Sequence, residues 1–268
     1  MSEPTIANRM LKACEAGDLP ALQQLFQSQN IKPGTQVRWQ GPSDSPEDSP
    51  PPTHELVTAA IAHAHVPVIS FILSIYSKGD ISCGTIVQGI INNPSLEILA
   101  LLYRHSPGIV NFEFDPLRTF LTEACRGPQS PSTPASSDQV ALLDYLLDHG
   151  AAPDEGALGG CGALLPAIES GWVPLEIMKK MLARGAVVGI IVFGAAVRMR
   201  RVDVLRLFFE KAEFSGQLDP QTILEKARGS GDREVVAVVD EGIKKLEQRK
   251  NASQEGASNS WWQFWKQA

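Results

Sequence analysis

Two stretches of the sequence decide the fold: LLDYLLDHGAAPDEG over residues 142–156 and LLPAIESGWVPLEIMKKMLARGA over residues 164–186. In both, apolar residues three and four positions apart mark one face of a helix, and a glycine follows where that helix would end. The stretch TILEKARGSGDREVVAVV over residues 222–239 repeats the order of helix, small residue, polar turn and second helix. The sequence therefore predicts a two-helix unit that recurs along the chain.

Seven copies of this unit can be aligned on the apolar residue that opens the first helix. The aligned positions are Met10, Val57, Val87, Leu121, Leu164, Phe193 and Leu224. Four of the six gaps are near 33 residues, and each longer gap contains one Pro/Ser-rich insertion. Alanines stand where the two helices of a unit would press together, at Ala13, Ala60, Ala124, Ala167, Ala196 and Ala227. Because no single unit can bury its apolar face, the units are expected to stack. Ser95 and Asp138 stand where the next helix needs an N-cap.

The period, the paired helices and the endings DHGA (148–151) and ARGA (183–186) resemble ankyrin repeats. The resemblance covers residues 4–247 and implies an all-α, ankyrin-like helical solenoid of six to seven repeats, followed by a flexible tail at 248–268. The TPLH opening of that family is not recognised in the sequence, and its nearest equivalents are Pro116-Leu117 and the stretch 222–224. A helical solenoid of another type is the alternative.

Two segments interrupt the repeats, GPSDSPEDSPPPT over residues 41–53 and GPQSPSTPASSD over residues 127–138. Their proline and serine content and their lack of apolar residues predict loops, the first between repeats one and two and the second inside repeat four. Hydroxyl residues that precede proline are candidate phosphorylation sites, and a plain solvated loop is the alternative. These residues are Ser45, Ser49, Ser130 and Thr133.

Composition and motifs favour a protein-binding function over an enzyme or a nucleic-acid-binding protein. A net charge of −6 argues against direct binding of nucleic acid, and the four cysteines are spaced too widely for a zinc site. The sequence holds no phosphate-binding loop and no nucleophile elbow, so we expect no cofactor and no metal. His63 and His65 are two residues apart, which does not suit one helix face. The start has no apolar leader and no run is long enough to cross a membrane, so we expect the chain in the cytoplasm, the nucleus or both.

Candidate contact residues lie at the exposed positions of the first helices and the turns beside them, which line the concave surface in ankyrin repeats. They are Arg9, Lys12, Thr58, His63, Gln88, Asn92, Thr122, Glu123, Glu169, Trp172, Arg198, Arg200, Arg201 and Glu225. Trp172 is the expected anchor, and filling the turn of its own repeat is its alternative role. The arginines of VRMRR (residues 197–201) could hold an acidic peptide or a phosphate, or form a solvated face.

The resemblance implies a non-enzymatic protein–protein interaction module that acts through the concave repeat surface. Such a chain would be an adaptor or a transcription co-regulator, for example of a fungal metabolite pathway. An enzyme of the acid/base cyclase or isomerase type, with Glu123 and Glu169 in a pocket, is the alternative. Trp261, Trp262 and Trp265 crowd the last eight residues. They predict docking on the repeats or on a protein partner, and a membrane-associated adaptor is a further alternative.

Overall fold

Helices follow the apolar periodicity throughout the part of the chain that the structure describes. The computed structural model describes residues 4–39, 49–127, 136–154, 162–211 and 219–248. The chain divides into two units, Met1–Ala152 and Pro153–Ala268. The two units are described separately below.

Unit 1 is built from four helix pairs. The elements are α1 (Ile6–Ala16), α2 (Leu19–Ser28), α3 (Thr53–Ala62), α4 (Val66–Ile75), α5 (Gly84–Asn92), α6 (Leu96–His105), a 3-10 turn (Pro107–Asn111), the strands β1 (Glu113–Asp115) and β2 (Arg118–Thr119), α7 (Phe120–Arg126) and α8 (Ser137–Asp148). The first helices α1, α3, α5 and α7 pack side by side in that order, and so do the second helices α2, α4, α6 and α8. This is the stacking predicted for a helical repeat.

Unit 2 continues the pattern with three further pairs. Its helices are α9 (Leu164–Ser170), α10 (Leu175–Ala183), α11 (Ile190–Arg198), α12 (Val202–Lys211), α13 (Pro220–Gly229) and α14, which covers residues 233–248. The first helices α9, α11 and α13 are neighbours, and α10 packs on α12. The described residues thus contain seven helix pairs, which confirms an all-α fold of six to seven ankyrin-like repeats.

Small residues allow the helices of each pair to approach, as the alignment predicts. All six aligned alanines are at most 6% exposed, namely Ala13, Ala60, Ala124, Ala167, Ala196 and Ala227. The third repeat carries Ile90 at this place, and Ile90 is buried as well. In the last repeat Leu224 is half-buried, while Ile223 before it and Ala227 after it are buried.

Helix ends match the sequence in most places. Gly17 ends α1 with a φ of 68°, the left-handed region that glycine enters without steric cost. Ser95 caps α6 as predicted, and its Oγ accepts from the Ile98 amide. Asp138 is not the cap of α8, because Ser136 takes that place in a reciprocal capping box with Gln139.

A short hairpin enters the otherwise helical fold before α7. β1 pairs antiparallel with β2, and Pro116-Leu117 forms its turn and does not open a helix. The helix opens instead at Thr119, whose segment TFLTEA (119–124) follows the T-P-L-H-x-A order of ankyrin repeats at its first, third and last residues. Pro116-Leu117, suggested as one equivalent of the TPLH opening, is therefore placed wrongly.

By chain order the two insertions fall between α2 and α3 and between α7 and α8, and most of their residues lie outside the described ranges. Their ends belong to the folded part, because Pro50 and Pro51 are buried and α8 already begins at Ser137. Ser49 is half-buried, whereas Ser45, Ser130 and Thr133 lie outside the described residues. Phosphorylation of all four residues stays a prediction. Within the described ranges, no helix has the length and apolarity that crossing a membrane requires.

Candidate binding groove

A groove of about 750 Å³ lies over α3 and α5 in unit 1. Its apolar walls are Trp39, Ala62 and Phe114, and Cys83, Gly84 and Gly89 also border it. Its polar lining is formed by His54, Thr58, Thr85, Gln88, Asn92 and Asn93. None of these lining residues is Asp, Glu, Lys or Arg, so the groove offers uncharged hydrogen-bonding groups beside aromatic rings.

Trp39 is held at the rim of the groove by backbone pairing around it. The segment before it runs along the end of α4, where the Val37 amide donates to the Lys78 carbonyl at 2.9 Å. The Thr53 amide donates to the Arg38 carbonyl at 2.9 Å, and the Arg38 amide donates to Thr53 Oγ1 at 3.0 Å. These bonds fix the backbone beside Trp39 and place its indole in stacking contact with the His54 ring, with centroids 5.6 Å apart.

The exposed indole at this groove belongs to Trp39, whereas the sequence predicts Trp172 as the exposed aromatic anchor. Trp39 is 44% exposed although it is a large apolar residue. Exposed indoles that are fixed by their surroundings are frequent hot spots in protein interfaces. A sequence signal was present, because Trp39 directly precedes a Pro/Ser-rich insertion and lies outside every amphipathic helix.

The polar lining is only partly paired. Gln88 Nε2 donates to Asn92 Oδ1 at 3.1 Å, one helical turn away on α5. On α3, His54 Nδ1 and Thr58 Oγ1 are buried without a hydrogen-bond partner among the described residues. His54 and Thr58 are also one turn apart, so both helices present polar side chains along the same groove. Three residues of the predicted contact set, Thr58, Gln88 and Asn92, therefore lie together, and their role in binding stays a prediction.

Thr122 and Glu123 do not form the exposed contact surface that the sequence analysis expects. Thr122 is 4% exposed, and its Oγ1 accepts from the Thr119 amide at 2.8 Å in the capping box. Glu123 is 9% exposed, because the hairpin and α7 close over it. Its carboxylate accepts two hydrogen bonds from Arg118, at 3.1 and 3.0 Å, and forms an ion pair with Arg126 at 3.0 Å. The contact role is wrong for both residues, whose polar atoms are engaged inside the repeat.

The carboxylates proposed for acid/base chemistry are each engaged within their own unit. Glu123, in unit 1, is paired with Arg118 and Arg126, and Glu169, in unit 2, accepts from Arg198 Nη2 at 2.6 Å. Neither carboxylate lines the groove. This arrangement gives no support to the enzyme alternative.

The arginines of residues 197–201 are neutralised by acidic partners. Arg198 pairs with Glu169, Arg200 lies 3.5 Å from Asp232, and Arg201 forms two hydrogen bonds with Asp203. Because each guanidinium has its own carboxylate, the expected concentrated positive patch does not form. Binding of an acidic peptide there is not supported by this geometry.

The Arg201–Asp203 pair predicts a pH dependence of unit 2. The hydrogen bonds from Arg201 hold the pKa of Asp203 below its usual value. Because the pKa of Asp203 is lower in the folded state than in the unfolded state, its ionisation stabilises the fold at pH values above the unfolded-state pKa of about 3.9. This stabilisation is lost as the pH falls through the folded-state pKa. Asp203→Asn should reduce the loss of unfolding free energy between pH 5 and pH 3. The reduction should be less than about 1 kcal/mol, because the pair is partly exposed. Urea midpoints at pH 7, 5, 4 and 3 measure this, and parallel curves for the two proteins would contradict it.

Trp172 lies in the turn after α9 and is half-buried, and its Nε1 is buried without a hydrogen-bond partner among the described residues. The neighbouring Val173 is 1% exposed. Both roles expected of Trp172, as a contact anchor and as a filler of its own turn, stay predictions.

In the described part of the chain, two cysteine thiols are buried and one histidine lies within hydrogen-bonding distance of a carbonyl group. Burial raises the pKa of the Cys14 thiol to about 12 and also raises the pKa of Cys125, so both stay protonated. His65 Nε2 lies 2.9 Å from the Glu15 carbonyl and ties the start of α4 to the end of α1. Among the described residues, no group of three or more His, Cys, Asp or Glu could hold a metal ion. The tail residues Trp261, Trp262 and Trp265 lie outside the described residues.

The chain was compared with protein families, curated proteins and solved structures. No protein-family model matches the chain, and no curated protein matches it either. Among solved structures, the chain is similar to an ankyrin repeat protein from Leishmania major, with 11% sequence identity. The similarity covers 89% of this chain and 98% of that chain, with a TM-score of 0.39.

Proposed function

We propose that the chain is a non-enzymatic protein–protein interaction module whose groove over α3 and α5 binds a protein partner. The observation that carries this proposal is the exposed, backbone-fixed indole of Trp39 beside an uncharged row of amide and hydroxyl groups. An aromatic anchor surrounded by satisfiable polar groups is the usual composition of a protein-binding surface. Acting as an adaptor or a transcription co-regulator in the cytoplasm or the nucleus is the cellular role that we propose for this module.

The enzyme alternative has weaker support than the binding module. An enzyme pocket would enclose a titratable group beside the reacting atoms. Here the carboxylates named for catalysis are paired with arginines, and the described lining of the groove contains no carboxylate. The features of the groove favour recognition and offer no acid/base pair.

Site-specific photocrosslinking in native cells tests the proposed function. Thr85 is exposed at the groove, so a photoreactive benzoylphenylalanine at this position should form an adduct with the partner. The matched control is Leu96, which is 41% exposed on α6 and does not line the groove. We expect an adduct from position 85 and none from position 96, and a loss of at least about tenfold in the presence of Trp39→Ala.

Two results would contradict this function. One is an adduct that forms equally from both positions. The other is an adduct at position 85 that is unchanged by Trp39→Ala. Mass spectrometry of the adduct identifies the partner and thereby decides between an adaptor and a co-regulator.

A further inference from the structure

We propose that the groove over α3 and α5 binds one segment of this chain, the Trp-rich residues 260–265. The inference deepens the proposed function, on which it rests, because it assigns an occupant to the same groove. The segment would then compete with the protein partner and regulate access to the site.

The first argument is the charge of the groove. The lining residues that the structure describes include no Asp, Glu, Lys or Arg, although 20% of the chain is charged. A charged ligand would lose hydration in the groove without gaining an opposite charge, which is unfavourable. The groove therefore selects an uncharged segment.

The second argument is the kind of contact that the groove offers. Trp39 and Phe114 present aromatic surface, while Gln88 and Asn92 present carboxamides. The single bond between Gln88 Nε2 and Asn92 Oδ1 leaves further N–H and C=O groups of both amides for a ligand. An occupant that fits has aromatic side chains together with backbone or side-chain amides.

The third argument is composition, which points to one segment among those outside the described residues. Residues 260–265 read SWWQFW, with four aromatic rings, one amide side chain and no charge. The other segments outside the described residues are 1–3, 40–48, 128–135, 155–161 and 212–218, and none of them contains tryptophan. Three of the five tryptophans of the chain thus stand in the one segment whose chemistry matches the groove.

The four aromatic rings of residues 260–265 are large apolar surfaces, and moving them out of water lowers the free energy. In this proposal, the predicted docking of the tail on the repeats takes place at the groove over α3 and α5.

Fluorescence anisotropy with a synthetic peptide tests the proposal. The probe is a fluorescein-labelled peptide of residues 256–268, and the receptor is the full chain in which Trp261, Trp262 and Trp265 are replaced by serine. We expect saturable binding that Trp39→Ala in the receptor weakens at least about tenfold. The matched control is Ile191→Ala, which removes an equally exposed apolar residue from unit 2 and should leave the affinity unchanged.

A second receptor variant guards against a folding defect. Asn92→Ala removes one groove amide, and it should weaken peptide binding at least about threefold while the circular dichroism spectrum stays the same. A peptide in which the three tryptophans are serines should not bind to any receptor. Together these measurements separate recognition by the groove from general stickiness of indole rings.

Several outcomes would overturn the proposal. They are an absence of binding, binding that Trp39→Ala leaves unchanged, and equal binding of the serine peptide. Co-sedimentation of the full chain with phosphatidylcholine vesicles that the three serine substitutions abolish would likewise overturn it and make the tail a membrane contact. If the peptide fails to bind while the adduct from position 85 still depends on Trp39, only the occupant is wrong and the proposed function stands.

Discussion

Leu146→Asp is expected to unfold the α7/α8 repeat and to destabilise unit 1 by more than about 4 kcal/mol. Leu146 is fully buried in α8, in the middle of the apolar doublets that decide the fold. The substitution removes a buried aliphatic side chain and also places a carboxylate where no cation is provided. Urea unfolding followed by circular dichroism should show a lower midpoint and a loss of helix before the main transition.

The matched control is Ser137→Asp on the same helix. Ser137 is exposed in the first turn of α8, where a negative charge interacts favourably with the helix dipole. The two variants add the same charge to the same helix, so only burial distinguishes them. An unchanged urea midpoint for Leu146→Asp would show that α8 does not face the core as described.

The repeat could be predicted from sequence because its signals are local. The spacing of Leu142, Leu143, Leu146 and Leu147 fixes which face of α8 is buried, and no distant residue is needed to predict this. The same holds for the aligned alanines, since a helix pair can approach closely only at a small residue. The N-cap predicted for α8, Asp138, lies only two positions from the observed cap, Ser136, and both are good capping residues.

The binding groove could not be predicted in the same way, because it depends on contacts between distant segments. Trp39 lies at the rim because Arg38 pairs with Thr53 across the first insertion. Glu123 was expected to be exposed, and it is covered because Arg118 of the hairpin reaches its carboxylate. Neither contact follows a helical period, so the alignment of repeats does not reveal it.

The charge around the arginine cluster likewise could not be predicted from a local stretch of sequence. In the sequence, Arg198, Arg200 and Arg201 stand close together and suggest a positive patch. In the structure, Glu169 of α9 and Asp232, which lies just before α14, meet two of them. The net charge of a surface depends on these neighbours, which a local stretch of sequence does not identify.

Gly242→Ala is expected to destabilise unit 2 by about 1 to 3 kcal/mol, although alanine is the better helix former. Gly242 lies within α14, and a Cβ at this position would overlap the ring of Phe209 on α12. Phe209 is 4% exposed and in edge contact with the Phe193 ring, with centroids 6.1 Å apart. To accept the methyl group, the ring must leave this contact or α14 must move away, and both lose buried apolar surface.

Gly229→Ala provides the opposite result with the same chemical change. Gly229 ends α13, and a Cβ there meets no atom within 4 Å. With space available, helix propensity alone decides, so this variant should be neutral or more stable by up to about 1 kcal/mol. Thermal unfolding of the two variants beside the parent measures the difference, since α13 and α14 form the last helix pair of unit 2. If both substitutions raise the midpoint equally, α14 does not pack on Phe209, and the close approach of the last two helix pairs would have to be abandoned.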